Sequence, residues 1–269
     1  MATKRLCFAL LALATALWSV RDCAAGTHFQ VLLDQATFDA GTYDMMQGTA
    51  NQVVNVVEQL MPEASQEGTT VLCFAAPPDW HAPITVTGRP YHGEPLASAQ
   101  YPVRVALSRD VLPADRDRFA FQLAHELAHV KMDPHFDNAM VETFAVAVSF
   151  EVMDRLGRHS YLRATVDLLI APLPPTIKAA VQEGSWSIVT AYLASRQNYY
   201  QQNPFDYSLA AAGALLIRSG GVTWRRLVGI ARTNTCAGKE PTPTFRMCDL
   251  DESKLVDLTT IFRALGAKE

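Results

Sequence analysis

Strand-like segments end early in this chain, and every later segment has helical spacing. Up to residue 109 the apolar runs are short and bounded by turn residues. They are "HFQVLLD", "TTVLCFAA" at residues 69–76 closed by Pro77 and Pro78, a brief "ITVTG", and "YPVRVALSR" at residues 101–109. In the last of these Val103, Val105 and Leu107 alternate with Arg104, Ala106 and Ser108, which predicts a strand with one wetter face. Residues 44–62 break the strand series with apolar residues at helical spacing and stop at Pro62. Pro113 suits the first turn of a helix running to about Met132. Beyond it the spacing predicts helices over residues 139–157, 161–171, 174–183, 186–200, 206–219, 222–233 and 252–265. The expected fold class is therefore α+β. A small mixed sheet and its helices occupy residues 26–138, and an all-helical half follows at residues 139–269.

A chain of 269 residues, 49% apolar and 19% charged, can bury a substantial core and has no sign of disorder or repeats. Its formal net charge of -4 argues against a nucleic-acid partner. Lys4 and Arg5, an apolar run over residues 6–20 and then "CAA" follow the order of a secretory signal peptide. Cleavage after Ala25 would release residues 1–25, and the run is shorter than the ~20 apolar residues that span a bilayer. The expectation is a secreted or periplasmic protein without stable membrane insertion. Of the five cysteines, Cys7 and Cys23 fall in that leader. Cys236 and Cys248 bracket a loop that a disulfide would close in an oxidising compartment, and Cys73 reads as a buried thiol.

The chemistry sits at the junction of the two halves, in "FQLAHELAHVKMDPHFDNAMVETFAVAVSF" at residues 121–150. In "HELAH", His125 and His129 are spaced i, i+4, so a helix projects both imidazoles from one face about 5–6 Å apart. Both can reach one zinc ion while Glu126, about 100° round the helix, addresses a water at the metal. Phe119, Leu123, Leu127 and Val130 supply a stripe for the core, and Ala124 and Ala128 permit close packing. A catalytic zinc takes three protein ligands and keeps one position open. Glu142 is the only charged residue within 139–150, where an uncompensated carboxylate would cost several kcal/mol. His135 is the competing third ligand, because "HELAHVKMDPH" has the H-E-x-x-H-x-x-G-x-x-H spacing of metzincin peptidases with Met132 in place of the glycine. Asp137 is a third candidate, and Asp133 before Pro134 marks a helix end.

With "VETFAVAVS" after it, the "HELAH" segment resembles gluzincin-type zinc metallopeptidases, which pair H-E-x-x-H with a downstream glutamate. "NPFDYSLAAAGALLIRSGGVTWRRLVGIAR" is similar to a later helix of their small bacterial members, so the likeness spans roughly residues 100–233. Thr143 stands where those members have glycine, and residues 208–211 lack another. The resemblance implies a zincin-like fold and an enzyme acting on a peptide or protein substrate. His125, His129 and Glu142 would hold Zn2+. Glu126 would serve as general base, and Tyr207, or Tyr200 behind it, would stabilise the oxyanion. It further implies that the strand before the zinc helix, "YPVRVALSR", lines the cleft and pairs with an extended substrate. A non-catalytic exported binding protein whose "HELAH" helix is structural is the rival reading.

Overall fold

The computed structural model describes residues 29–34, 38, 40–62, 69–76, 84–87, 103–108, 115–132, 139–196, 199, 203, 206–219 and 224. The leader, His135, Asp137, Tyr200, the Cys236–Cys248 loop and the helices expected at 222–233 and 252–265 lie outside them, apart from Trp224. Four strands and seven helices occur among the described residues. They are β1 (Phe29–Leu33), α1 (Ala40–Leu60), β2 (Thr69–Ala75), β3 (Ile84–Thr87), β4 (Val103–Leu107), α2 (Arg116–Met132), α3 (Ala139–Arg155), α4 (His159–Ile170), α5 (Pro175–Glu183), α6 (Trp186–Ser195) and α7 (Tyr207–Ser219).

The sheet has the order β1-β2-β4-β3. β1, β2 and β4 are parallel, in registers such as Val31 with Val71 and Cys73 with Val105, and β3 runs antiparallel along β4. Alternate side chains Val31, Leu33, Val71, Cys73, Val105 and Leu107 are buried, while Leu32, Leu72, Phe74 and Arg104 are half-buried. Ala106, expected on the wetter face of β4, is buried too, because β4 is flanked on both sides. That position also corrects the expectation that β4 pairs with a substrate. Its backbone groups already bond to β2 on one side and β3 on the other. Within the described sheet the edges belong to β1 and β3. Gln47 of α1 covers the β1 edge, donating to Val31 O at 2.9 Å and accepting the Leu33 N–H at 3.2 Å.

α1 and α2 pack together and against the sheet, and α3 lies between α2 and α7. Residues 141–150 of α3 are all buried, as a helix apolar on every side must be. Its facing helix α7 brings the run Ala210, Ala211, Ala212 and Ala214, all fully buried, which lets the two backbones approach closely. Arg218 of α7 reaches back to Glu151 at 3.2 Å and Asp154 at 3.1 Å, holding the far ends of α3 and α7 together. α3 stops at Arg155 instead of 157 because Gly157, at φ 69°, forms a left-handed cap. There the Arg158 N–H bonds Met153 O and the Gly157 N–H bonds Asp154 O, each at 2.9 Å. α6 ends at Ser195, where Arg196 leaves the helical region and sets its guanidinium over the Tyr192 ring, and Tyr199, inside the expected span of 186–200, is again helical.

Candidate metal centre

α2 begins at Arg116, and its first turn is fixed by Asp115, whose carboxylate accepts the Arg118 N–H at 2.9 Å. This is the N-cap geometry, so the helix starts on an aspartate cap; Pro113 lies outside the described residues. Farther along, the Gln122 side chain accepts the Ser108 N–H and donates to its hydroxyl, both at 3.2 Å, which ties α2 to the end of β4. Phe119, Leu123 and Leu127 are buried as the expected stripe requires, whereas Val130 is half-buried. The helix is more enclosed than one stripe would make it: His125 and His129 are each 5% exposed and Glu126 is 3% exposed.

Glu142 enters from α3 at 2% exposure and completes a triangle. His125 Nε2 and His129 Nε2 are 3.1 Å apart. Glu142 Oε2 is 3.2 Å from the first and its Oε1 is 3.3 Å from the second. Glu142 Oε2 is sealed from solvent, and one nitrogen or oxygen from each of the three side chains lies close enough to the others to address one ion. Burial by itself would raise the Glu142 carboxyl pKa. Hydrogen bonds and charge from His125 and His129 outweigh it and hold the group well below the ordinary carboxylate range. His125, His129 and Glu142 thus form a buried group that can hold a metal ion. Of the third ligands weighed from sequence, Glu142 is the one brought to the pair, and His135 and Asp137 lie outside the described residues.

The other singled-out residues fall at different distances from this group. Glu126, next to His125 on α2 and buried like it, lies near enough to β2 that its charge adds to burial in raising the Cys73 thiol far above the usual range. Cys73 is free, buried and unsuited to redox or nucleophilic work, in keeping with its apolar surroundings in sequence. Tyr207 opens α7 with its ring 6.2 Å from that of His125. Asp206 sets that start by accepting the Ser208 N–H at 3.1 Å and the Ser208 hydroxyl. Thr143, next to Glu142 on α3, is fully buried. His159 is exposed and pairs with Asp154 at 3.1 Å, and Trp186 and Trp224 pack on the core.

A cavity of about 670 Å³ reaches the group at His125 and Tyr207. α2 lines it with Arg118, Phe121 and Gln122, and α4 with Tyr161, Leu168 and Leu169. Sequence reasoning gave none of these residues a role. The only available signal was the stripe 161, 164, 165, 168, 169, which has the same spacing as an ordinary core-facing helix. Comparison with protein-family models, with curated proteins and with solved structures finds no match to this chain.

Proposed function

We propose that this chain is a zinc-dependent hydrolase of peptide bonds with a zincin-like arrangement, exported behind the leader at residues 1–25. The observation that supports it most is the spacing of the three side chains. Ligand atoms about 2.0–2.2 Å from a four-coordinate ion stand about 3.3 Å from one another. Here the two Nε2 atoms are 3.1 Å apart. Each has one oxygen of the Glu142 carboxylate close by, Oε2 at 3.2 Å from His125 and Oε1 at 3.3 Å from His129, so the donors crowd within reach of one ion. Two imidazoles and a carboxylate are a donor set of hydrolytic zinc sites that keep a fourth position for water. With a single negative charge among its ligands, the loaded site retains net positive charge.

When bound, zinc supplies the Lewis acidity that activates water and polarises a carbonyl at neutral pH. His125, His129 and Glu142 hold the ion. A carboxylate oxygen of Glu126 takes a proton from the attacking water and passes it to the departing amine nitrogen, so the protons balance over one turnover. The Tyr207 hydroxyl, beside His125, donates a hydrogen bond to the carbonyl oxygen as negative charge builds there. None of the described helices is long and apolar enough to cross a membrane.

Two measurements on the purified chain test this reading together. Elemental analysis is expected to find about one zinc per chain, and Glu126→Gln to keep that zinc while peptide cleavage falls at least about a hundredfold. Stoichiometric zinc with cleavage undiminished in Glu126→Gln would remove Glu126 from the mechanism. A chain that takes up no divalent metal would leave the binding-protein reading in its place.

A further inference from the structure

The cavity beside the triad is lined mainly by apolar and aromatic side chains. Its walls are Phe121 of α2, Val146 of α3, Tyr161, Leu168 and Leu169 of α4, and Tyr207 of α7. The Phe121 ring is 6.3 Å from that of Tyr161 and 6.1 Å from that of Phe150 behind it, so one wall is an aromatic cluster. Leu168 is 72% exposed, an apolar side chain at the mouth that water leaves unsatisfied. Burial raises the Tyr161 phenol above its usual range despite a hydrogen bond with Thr165, so its hydroxyl stays neutral. Buried His125 and exposed Tyr207 both line the cavity, as do the charged side chains Asp115 and Arg118.

We infer that this cavity seats a large apolar side chain, aromatic or branched aliphatic, of a peptide held with its scissile bond at His125. The inference rests on the hydrolase reading for what happens at that bond. The seating itself depends on the cavity alone. Three observations point to a peptide side chain. The volume of about 670 Å³ lies within the range of small-ligand pockets and is ample for one bulky residue with its flanking backbone. Aromatic rings at the wall favour edge-to-face contact with another ring, an arrangement that needs centroids about 4.5–7 Å apart. The neutral Thr165 and Tyr161 hydroxyls among the apolar residues suit backbone amides of an extended chain better than a saturated acyl tail.

Binding is measured on the full, zinc-loaded chain carrying Glu126→Gln, by fluorescence anisotropy of labelled hexapeptides that differ at one central position. Peptides with Phe or Leu there are expected to bind at least about tenfold more tightly than those with Ala or Asp. Ala164→Trp, which fills the cavity from an exposed position on α4, is expected to erase that preference while zinc content and helical circular dichroism persist. Leu168→Ser, also at an exposed position, reduces it without threatening the fold. Equal affinity for all the peptides would overturn the inference, as would a preference surviving Ala164→Trp. Tighter binding of a fatty-acyl probe than of the Phe peptide would overturn it in favour of a lipid-derived substrate. Cleavage by the unsubstituted chain is scored separately. Discrimination without cleavage keeps the pocket and removes the peptidase, and cleavage without discrimination does the reverse.

Discussion

A carboxylate that is 2% exposed, on a helix stretch with no other charge, costs several kcal/mol unless something compensates it, and Glu142 finds two imidazoles at 3.2 and 3.3 Å. The same contacts keep it ionised, which is the state a metal ligand needs. Glu142→Ala preserves helix propensity and deletes one corner of the triangle. Zinc retained after dialysis is expected to fall at least about tenfold in that variant, read by elemental analysis. Undiminished zinc in Glu142→Ala, with loss on replacing His135, would transfer the third corner to His135. Cys73, by contrast, is a residue whose environment disarms it: burial and the Glu126 charge both favour the neutral thiol.

α2 carries His125 and His129 and at the same time packs against both α1 and α3, and its C-terminal turn shows what that requires. Lys131 has a fully buried side chain, and its Nζ lies 2.8 Å from Glu58 Oε2 of α1. The pair spans the α1–α2 contact two residues beyond His129 and resists any rotation of α2 that would swing the imidazoles off Glu142. Breaking a buried pair by removing one partner costs about 3–5 kcal/mol, because the other charge stays behind. Lys131→Ala is therefore expected to lower unfolding stability by roughly that amount, measured by urea titration with chelator present so that metal loss does not contribute. A change under about 1 kcal/mol would show that Glu58 finds water instead. At the opposite end of the helix, the Asp115 cap and the Gln122 link to Ser108 fix where the turn sequence begins, and so which residues face α3.

On the scale of the whole molecule, an ion held by His125, His129 and Glu142 would join α2 of the α+β half to α3 of the helical half. Anything that binds the folded state alone stabilises it, by about 2.7 kcal/mol at a free concentration one hundred times Kd. Stripping metal with a chelator is expected to lower Tm by roughly 5–10 °C in a chain of this size. Glu142→Ala should show little further response to chelator. Equal chelator sensitivity in both proteins would place the stabilising ion elsewhere. The cavity occupies the same seam, opening among α2, α3, α4 and α7, so substrate and metal would both bear on how the halves hold together.

Local order in the chain is enough to place most elements. The i, i+4 relation of His125 and His129 is a property of any helix, so that pair was readable without knowing what packs around it. Alternation in β1, β2 and β4, and the unbroken apolar run of α3, follow from side-chain periodicity in the same way. Helix ends were less legible, because Gly157 and Arg196 act through backbone torsions that composition only hints at. The third corner of the triangle depends on how α3 crosses α2, a long-range packing choice, so Glu142 and His135 stayed open in the sequence. Packing likewise placed β4 inside the sheet and buried Lys131 beside Glu58. It also turned the stripe at Tyr161, Leu168 and Leu169 towards a cavity, a direction that helical period alone cannot specify. Periodicity is a property of neighbours along the chain, whereas these outcomes depend on surfaces that only the folded chain brings together.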